Sequence, residues 1–199
     1  ATNLDTLKFE IEVAVGADSA GELVKKLKDN LIAVHLLKNL KRSWNPIPNF
    51  LFILELNQLI RKSLPDIVHF SSTNASVFGP LAVWFSKFKR PKIIYTAHGF
   101  PFNEPGVLKK GVFAILEKVS ALMRDKTICV SESDRESGIR YAIGKKENLI
   151  TIHNGIDLKQ FKVLPRMEAR KIFTNLPLNS KLIGTISQFY SNKGLIYLI

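Results

Sequence analysis

Short apolar runs alternate with helix-like segments along most of this chain, and this alternation limits the possible folds more than any other feature. Most of the runs are continuously apolar and rich in Ile and Val, as strands buried on both faces of a parallel sheet are. We therefore predict an α/β fold in which a parallel sheet carries helices on both faces. The predicted strands cover residues 9–15, 33–37, 67–70, 92–95, 127–130, 149–152 and 182–186.

Capping and turn residues predict where the intervening helices begin. Two Ser/Glu pairs match the capping box, Ser19 with Glu22 and Ser133 with Glu136. We expect Pro80 in the first turn of its helix, because a proline costs little there. The predicted helices cover residues 19–28, 49–62, 76–87, 107–124, 133–142 and about 166–174.

The cysteine content and the length of the apolar runs narrow the class of protein. A single cysteine, Cys129, excludes a disulfide framework and fits a reducing compartment. It lies in a predicted strand, so we interpret it as a small core residue. The longest apolar run, residues 50–54, is far shorter than the roughly 18 residues that cross a bilayer, and we read no leader at the start. We expect a cytoplasmic protein, and the inner face of the membrane is its candidate place of action.

The charge predicts anionic partners. The net charge is +12, from 29 basic and 17 acidic residues, and such an excess attracts anions without naming them. The sequence contains no recognised nucleic-acid module, so we expect no nucleic acid and favour an anionic lipid surface. Residues 38–44, which include Trp44, are a candidate interfacial contact; a solvated basic face is the alternative. The basic clusters are Lys38/Lys41/Arg42, Lys87/Lys89/Arg90/Lys92 and Lys109/Lys110.

Three short segments follow predicted strands. They read Thr-Ala-His-Gly-Phe at 96–100, Ser-Glu-Ser at 131–133 and His-Asn-Gly-Ile-Asp at 153–157. Ligands bind outside the carboxyl ends of parallel strands, so these segments are expected to converge on one crevice. In this order and spacing they resemble the retaining glycosyltransferases of family 4, which have the GT-B fold. The resemblance implies a Rossmann-like N-terminal, acceptor-side domain at 1–156. Residues 157–199 would then be a linker and the beginning of the C-terminal, donor-binding domain.

The same resemblance assigns roles to individual residues. His98 would lie in the cleft between the domains and position the reacting sugar and the acceptor, which makes it the catalytic candidate. His69 is expected in the core, and capping of a helix is the alternative role for Ser131. Many relatives have a histidine where Ser71 stands and a lysine where Asn74 stands. The identity of the acceptor therefore stays open. The candidate substrate-binding residues are Gly99, Phe100, Ser71, Ser72, Asn74, Ser131, Glu132, Asn154 and Gly155.

The candidate site for the donor diphosphate departs from the family pattern. Relatives carry an arginine and a lysine that clamp the diphosphate, and positive charge there stabilises the leaving group. Lys193 stands in register, but Gln188 replaces the arginine. Gln188 can donate a hydrogen bond without supplying charge, so either neighbouring groups compensate or donor binding is weaker. We expect no metal and no cofactor beyond the nucleotide-sugar substrate.

The opening of the chain also departs from the family pattern. Relatives begin with a central strand and a glycine-rich loop, which we do not find before residue 9. Each lost ladder hydrogen bond would cost roughly 1 kcal/mol, against a total stability of about 5–15 kcal/mol. We therefore expect these 199 residues alone to be marginally stable, prone to associate or rearranged, and to be inactive.

The predicted function is that of a metal-independent, retaining, hexosyltransferase-like enzyme. It would move a sugar from a nucleotide-sugar donor to a hydroxyl of a saccharide or lipid-linked acceptor, in cell-surface polysaccharide or glycolipid synthesis. One alternative is a nucleotide-sugar epimerase of the GT-B fold, which needs no acceptor. The other is a catalytically degenerate partner in a sugar-transfer complex, which releases no nucleotide; Gln188, Ser71 and Asn74 suggest it.

Overall fold

The chain divides into two compact units, Ala1–His153 and Asn154–Ile199. The computed structural model describes residues 4–19, 21–41, 45–86, 90–103, 107–160, 162–172, 180–189 and 193–198. The predicted basic residues Arg42, Lys87 and Lys89, together with Trp44, lie outside the described residues. The assignment of domains at 1–156 and 157–199 stays a prediction.

The first unit contains two parallel sheets. One pairs β1 (Glu12–Gly16) with β2 (Ala33–Leu37). The other has the order β3-β4-β5-β6, formed by β3 (Ile67–Phe70), β4 (Lys92–Ala97), β5 (Lys126–Cys129) and β6 (Leu149–Thr151). All of these pairings are parallel, which confirms the α/β class. In the described part of the chain no strand joins the two sheets, and the predicted loss of a central strand stays a prediction.

Helices connect the strands. In the first unit these are α1 (Glu22–Asp29), α2 (Pro46–Ser63), α3 (Thr73–Trp84), α4 (Val107–Ala121) and α5 (Glu132–Arg140); α6 (Arg166–Lys171) lies in the second unit. Short polar side chains cap several of them, as they do in α2, where Asn45 Oδ1 accepts a 3.1 Å hydrogen bond from the Ile47 amide. None of the described helices is long and apolar enough to cross a membrane.

The two predicted capping boxes are wrong. Helix α1 begins at Glu22, three residues after the predicted start, and its N-cap residue is Gly21, which makes no side-chain cap. Helix α5 begins at Glu132, one residue before the predicted start, and its cap is Ser131 rather than Ser133. A Ser/Glu spacing alone therefore does not locate a helix start when a competing cap lies within a few residues.

The predicted strand at 182–186 is also absent. Residues 181–188 have no regular secondary structure, and their side chains are exposed. An extended apolar segment becomes a strand only when a neighbouring strand accepts and donates its ladder hydrogen bonds. The described residues of the second unit contain no strand that could pair with it.

Pro80 lies well inside α3 rather than in its first turn, contrary to the prediction. Proline has no N–H group, so it cannot donate to the carbonyl of Ser76, four residues earlier. That carbonyl instead accepts hydrogen bonds from the Ser120 hydroxyl and from Arg124 Nη2, which is 2.9 Å away. Residues of α4 and the turn after it thus compensate for the proline.

The core lies between the four-stranded sheet and helices α2 to α4. Cys129 is fully buried within it, which confirms the predicted core role. Burial first, and the nearby Asp134 second, raise the pKa of the Cys129 thiol to about 11. The largest fully buried side chains include Tyr95, Phe52, Phe102, Ile93 and Ile143.

Candidate functional site

The carboxyl ends of β3 to β6 lie along one edge of the four-stranded sheet. The parallel register pairs Phe70 with Tyr95, Ala97 with Cys129 and Cys129 with Thr151. The segments that begin at Ser71, His98, Val130 and Ile152 therefore all leave from this edge. Two of the three sequence-predicted segments, 96–100 and 131–133, reach this edge within the first unit, whereas the third belongs to the second unit from Asn154 onward. The roles of their residues stay predictions.

The loop after β4 presents His98 to solvent. Gly99 has a φ of +112°, which favours glycine, and no atom lies within 4 Å of the position that a Cβ would take. A ligand can therefore approach this backbone closely. The ring of Phe100 is buried and stacks on Phe102 with centroids 4.9 Å apart. Phe100 thus anchors the loop, and its ring is not available to a substrate.

His69 lies beside this loop, and the prediction that it is a core residue is wrong. The residue is exposed, and its Nε2 atom lies 2.8 Å from Thr96 Oγ1. Partial burial of the ring, and secondly the charge of His98, lower the pKa of His69. The structure therefore adds His69 and Thr96 to the candidate site. The signal in the sequence was the position of both residues just before the ends of adjacent strands.

The residues after β3 have structural contacts of their own. Ser72 caps α3, since its hydroxyl accepts from the Ala75 amide at 3.4 Å. The side-chain amide of Asn74 donates to the carbonyl of Lys41 at 2.8 Å, which connects α3 to the loop after β2. Ser71 and Ser72 are both exposed at the sheet edge.

Ser131 caps α5 at the same edge. Its hydroxyl accepts a 3.1 Å hydrogen bond from the Asp134 amide and donates a 2.7 Å hydrogen bond to Asp134 Oδ2. Glu132 is exposed and lies 3.8 Å from Arg135. The capping role that the sequence left open for Ser131 is therefore observed, and a role in substrate binding stays a prediction.

Two further hydrogen bonds hold the loops at this edge. The Ser137 hydroxyl donates to Asn103 Oδ1 at 2.7 Å, which joins α5 to the loop after β4. His153 Nδ1 lies 3.2 Å from the carbonyl of Val130, which joins the end of β6 to the end of β5. The exposed His98 thus lies on a loop that is fixed on its far side by Phe100 and Asn103.

The remaining candidates belong to the second unit, which we describe by itself. Asn154 and Gly155 are exposed, and residues 152–157 contain no turn. An Asn-Gly pair is typical of a turn, but Gly155 does not have a left-handed φ, and no turn forms there. Gln188 and Lys193 are exposed and line an open concavity together with Ile186 and Ser187. Asn192 lies outside the described residues.

Clusters of metal-ligating side chains are absent from the described residues of both units. No group of three or more His, Cys, Asp or Glu side chains there could hold a metal ion. The candidate residues in the first unit carry imidazole, hydroxyl, amide and carboxylate groups beside the backbone. Such groups bind sugars and their hydroxyls through hydrogen bonds.

Comparison with known proteins assigns this architecture to a class of enzymes. The fold matches GT-B glycosyltransferases, and the model of Glycosyltransferase Family 4 matches residues 1–160. The chain therefore belongs to Glycosyltransferase Family 4. It is 24% identical over 190 residues to the UDP-Gal:alpha-D-GlcNAc-diphosphoundecaprenol alpha-1,3-galactosyltransferase of Escherichia coli, covering 94% of this chain and 48% of that protein. The chain thus spans about half the length of the curated relative that it matches.

Solved structures agree on the fold. HepE of Anabaena in complex with UDP-glucose superposes with a TM-score of 0.57 at 18% identity, covering 81% of this chain and 42% of that one. A glycosyltransferase of Rickettsia africae superposes with a TM-score of 0.56 at 22% identity, covering 85% and 50%. At these identities the likeness concerns the fold alone.

Proposed function

We propose that the protein is a metal-independent, retaining glycosyltransferase that moves a hexose from a UDP-sugar to a hydroxyl of a lipid-linked saccharide. It would act in the cytoplasm, at the inner face of the membrane, in the synthesis of a cell-surface polysaccharide or glycolipid. The proposal rests on one observation above the others. A family 4 chain exposes His98 beside Gly99 at the carboxyl edge of the sheet, next to a second histidine, His69.

His98 would position the substrates by hydrogen bonds. His98 is exposed, and Phe100, two residues later in the same loop, is buried. The backbone that carries the imidazole is therefore restrained. Gly99 leaves open space beside it, where sugar hydroxyls can reach the main chain. Preorganised groups of this kind lower the barrier, because the substrates arrive already oriented.

His69 would assist as a neutral imidazole. Its lowered pKa favours the uncharged ring near neutral pH, and a neutral imidazole can donate from one nitrogen and accept at the other. Because Nε2 contacts Thr96 Oγ1, the orientation of the ring is constrained. A neutral His69 adds no positive charge beside His98.

Lys193 and Gln188 would contact the diphosphate of the donor. When the bond between the sugar and the diphosphate breaks, negative charge accumulates on the leaving group, and a lysine stabilises it. The names of the relatives support a uridine donor, since the E. coli enzyme uses UDP-Gal and HepE was solved with UDP-glucose. The acceptor in the name of the E. coli enzyme, a GlcNAc-diphosphoundecaprenol, supports an acceptor sugar carried on a lipid diphosphate.

Transfer of labelled sugar tests the proposal. The full-length protein that contains this chain is incubated with a panel of nucleotide sugars labelled in the sugar, with and without a membrane extract as acceptor. We expect acceptor-dependent release of UDP and label in the lipid phase, with the anomeric configuration of the donor preserved. Conversion of the sugar without an acceptor would instead establish the epimerase. No turnover from a folded protein would establish the degenerate partner.

A further inference from the structure

The loop that follows β4, residues 98–103, is seated on helix α5, and we call it the histidine loop. The ring of Phe102 packs on that of Tyr141, at the end of α5, with centroids 4.4 Å apart. A Cβ on Gly138 of α5 would lie 3.2 Å from the ring of Phe100, so the helix backbone passes close to this ring. The two aromatic contacts restrain the backbone of the loop.

Asn103, the last residue of the histidine loop, holds its side-chain amide in one orientation. The Ser137 hydroxyl donates to Asn103 Oδ1 at 2.7 Å, and the main-chain amide of Asn103 donates to the Phe100 carbonyl at 3.0 Å. The residue is exposed, and within the described part of the chain no group accepts a hydrogen bond from Nδ2. The two N–H groups of a fixed amide are therefore available to a ligand.

Ser137 lies on a helix whose own position is fixed. Ser131 caps α5, and Arg135 Nε donates to the carbonyl of Leu149 in β6 at 2.9 Å. A serine inside a helix can also donate to a carbonyl of the preceding turn, whereas the Ser137 hydroxyl donates to Asn103. The amide of Asn103 is therefore oriented from a rigid support.

We propose that Asn103 donates to an oxygen of a diphosphate group. The inference rests on the proposed function, in which the UDP-sugar and the lipid-linked acceptor each carry a diphosphate. An amide whose oxygen already accepts a hydrogen bond offers a ligand chiefly its N–H groups. A phosphate oxygen only accepts, whereas a sugar hydroxyl also has a proton to donate, so the fixed amide matches the diphosphate better. Gly99 leaves open space beside the same loop, where a ligand can approach.

Both diphosphates have the chemistry that Asn103 recognises, and two acceptors distinguish them. Both acceptors carry the same saccharide, but one is linked to its lipid through a diphosphate and the other is a simple alkyl glycoside. If the diphosphate of the acceptor is the ligand, a change at Asn103 alters the preference between the two acceptors. If the diphosphate of the donor is the ligand, the change raises the KM for the UDP-sugar with both acceptors alike.

Transfer by Asn103→Asp in the full-length protein tests the inference. The carboxylate can still accept from Ser137, but it replaces the N–H donors with a negative charge that repels a phosphate oxygen. We expect the preference for the diphosphate-linked acceptor to fall, or the KM for the UDP-sugar to rise, by about tenfold or more. The control Asn148→Asp adds the same charge just before β6, where Lys126 contacts Asn148, and should transfer like the wild type. An Asn103→Asp protein that matches the wild type in both quantities would overturn the inference.

A binding measurement separates this inference from the proposed function, because absence of transfer by the wild type would count against the proposed function alone. UDP and geranyl diphosphate are titrated separately into the full-length protein with isotope-labelled asparagine, and NMR detects the side-chain amides. The signal of Asn103 is assigned by its absence in Asn103→Asp. We expect this signal to shift with at least one of the two diphosphates, and to shift less in Ser137→Ala, in which the amide is no longer oriented. An Asn103 signal that neither ligand changes would overturn the inference.

Discussion

A contact of 2.8 Å between His69 Nε2 and Thr96 Oγ1 joins β3 to β4. Thr96 lies two residues before His98 in the chain. The contact places a partly desolvated imidazole beside the catalytic candidate. Burial of the ring, and secondly the charge of His98, lower the pKa of His69, so its protonation couples the stability of the fold to pH.

Replacing His69 should reduce the loss of stability in acid. A histidine with a lowered pKa in the folded state binds its proton more readily when unfolded. The wild type should therefore lose stability as the pH falls below the ordinary histidine pKa of about 6.5. We expect His69→Gln to flatten that slope, measured as the thermal unfolding midpoint between about pH 5 and pH 7.5. Identical slopes for both proteins would contradict the assignment.

A pair of glycine substitutions tests the packing beneath the site. In Gly79→Ala the new Cβ would overlap the buried ring of Phe70, so we expect a loss of about 1–3 kcal/mol in the free energy of unfolding. Gly111→Ala is the matched control in α4, where no atom lies within 4 Å, and it should stabilise by about 0.5–1 kcal/mol. Chemical denaturation measures both. If both substitutions change the free energy of unfolding in the same direction, the result would argue against this packing.

Glu117 Oε2 and Arg124 Nη1 lie 2.8 Å apart in the interior, and this buried ion pair gives a third prediction. Arg124→Met leaves the Glu117 carboxylate buried without its partner, which we expect to cost about 3–5 kcal/mol of unfolding free energy. Burial already raises the pKa of Glu117, and losing Arg124 raises it further. When the pKa of a carboxyl group is higher in the folded than in the unfolded state, the protein loses stability as the pH rises above the ordinary pKa of that group. The variant should therefore be least stable towards neutral pH.

A double variant is the control for the ion pair. Glu117→Leu combined with Arg124→Met removes both charges, and we expect it to recover much of the loss and all of the added pH dependence. Denaturation over a range of pH measures both variants. An Arg124→Met protein as stable as the wild type would show that the pair does not hold α4.

The helix cap at Ser131 gives a fourth prediction. Ser131→Ala removes the acceptor for the Asp134 amide and should cost about 1 kcal/mol of unfolding free energy. Ser131→Thr keeps a hydroxyl that can accept from the Asp134 amide and donate to Asp134 Oδ2, and it should restore most of the loss. If thermal unfolding shows no difference between the two variants, the hydroxyl does not act through the cap.

Short apolar runs made the strands predictable. The prediction for β3 has the observed bounds, and so does that for β2. Each run is apolar except for one histidine, and a polar residue follows it. The prediction of a strand at 182–186 was wrong although its residues form an apolar run. Its pattern is right, but a strand also needs a partner, which a local pattern does not report.

The features that were missed depend on residues far apart in the sequence. Pro80 is tolerated inside α3 because Ser120 and Arg124 reach the Ser76 carbonyl, and no pattern around residue 80 contains them. The apolar residues of α4 indicated a helix correctly, but periodicity does not say which face turns inward. His69 was assigned to the core because a strand position says little about the exposure of an edge strand.

The most direct test of the central claim is the release of UDP by a His98 variant. The full-length protein, His98→Ala and the control His35→Gln are compared with a UDP-hexose and a membrane extract; His35 contacts Glu12 at the start of β1, outside the candidate site. We expect His98→Ala to lower acceptor-dependent release by about 100-fold, and His35→Gln to leave it unchanged. Wild-type release from a folded His98→Ala protein would contradict the account.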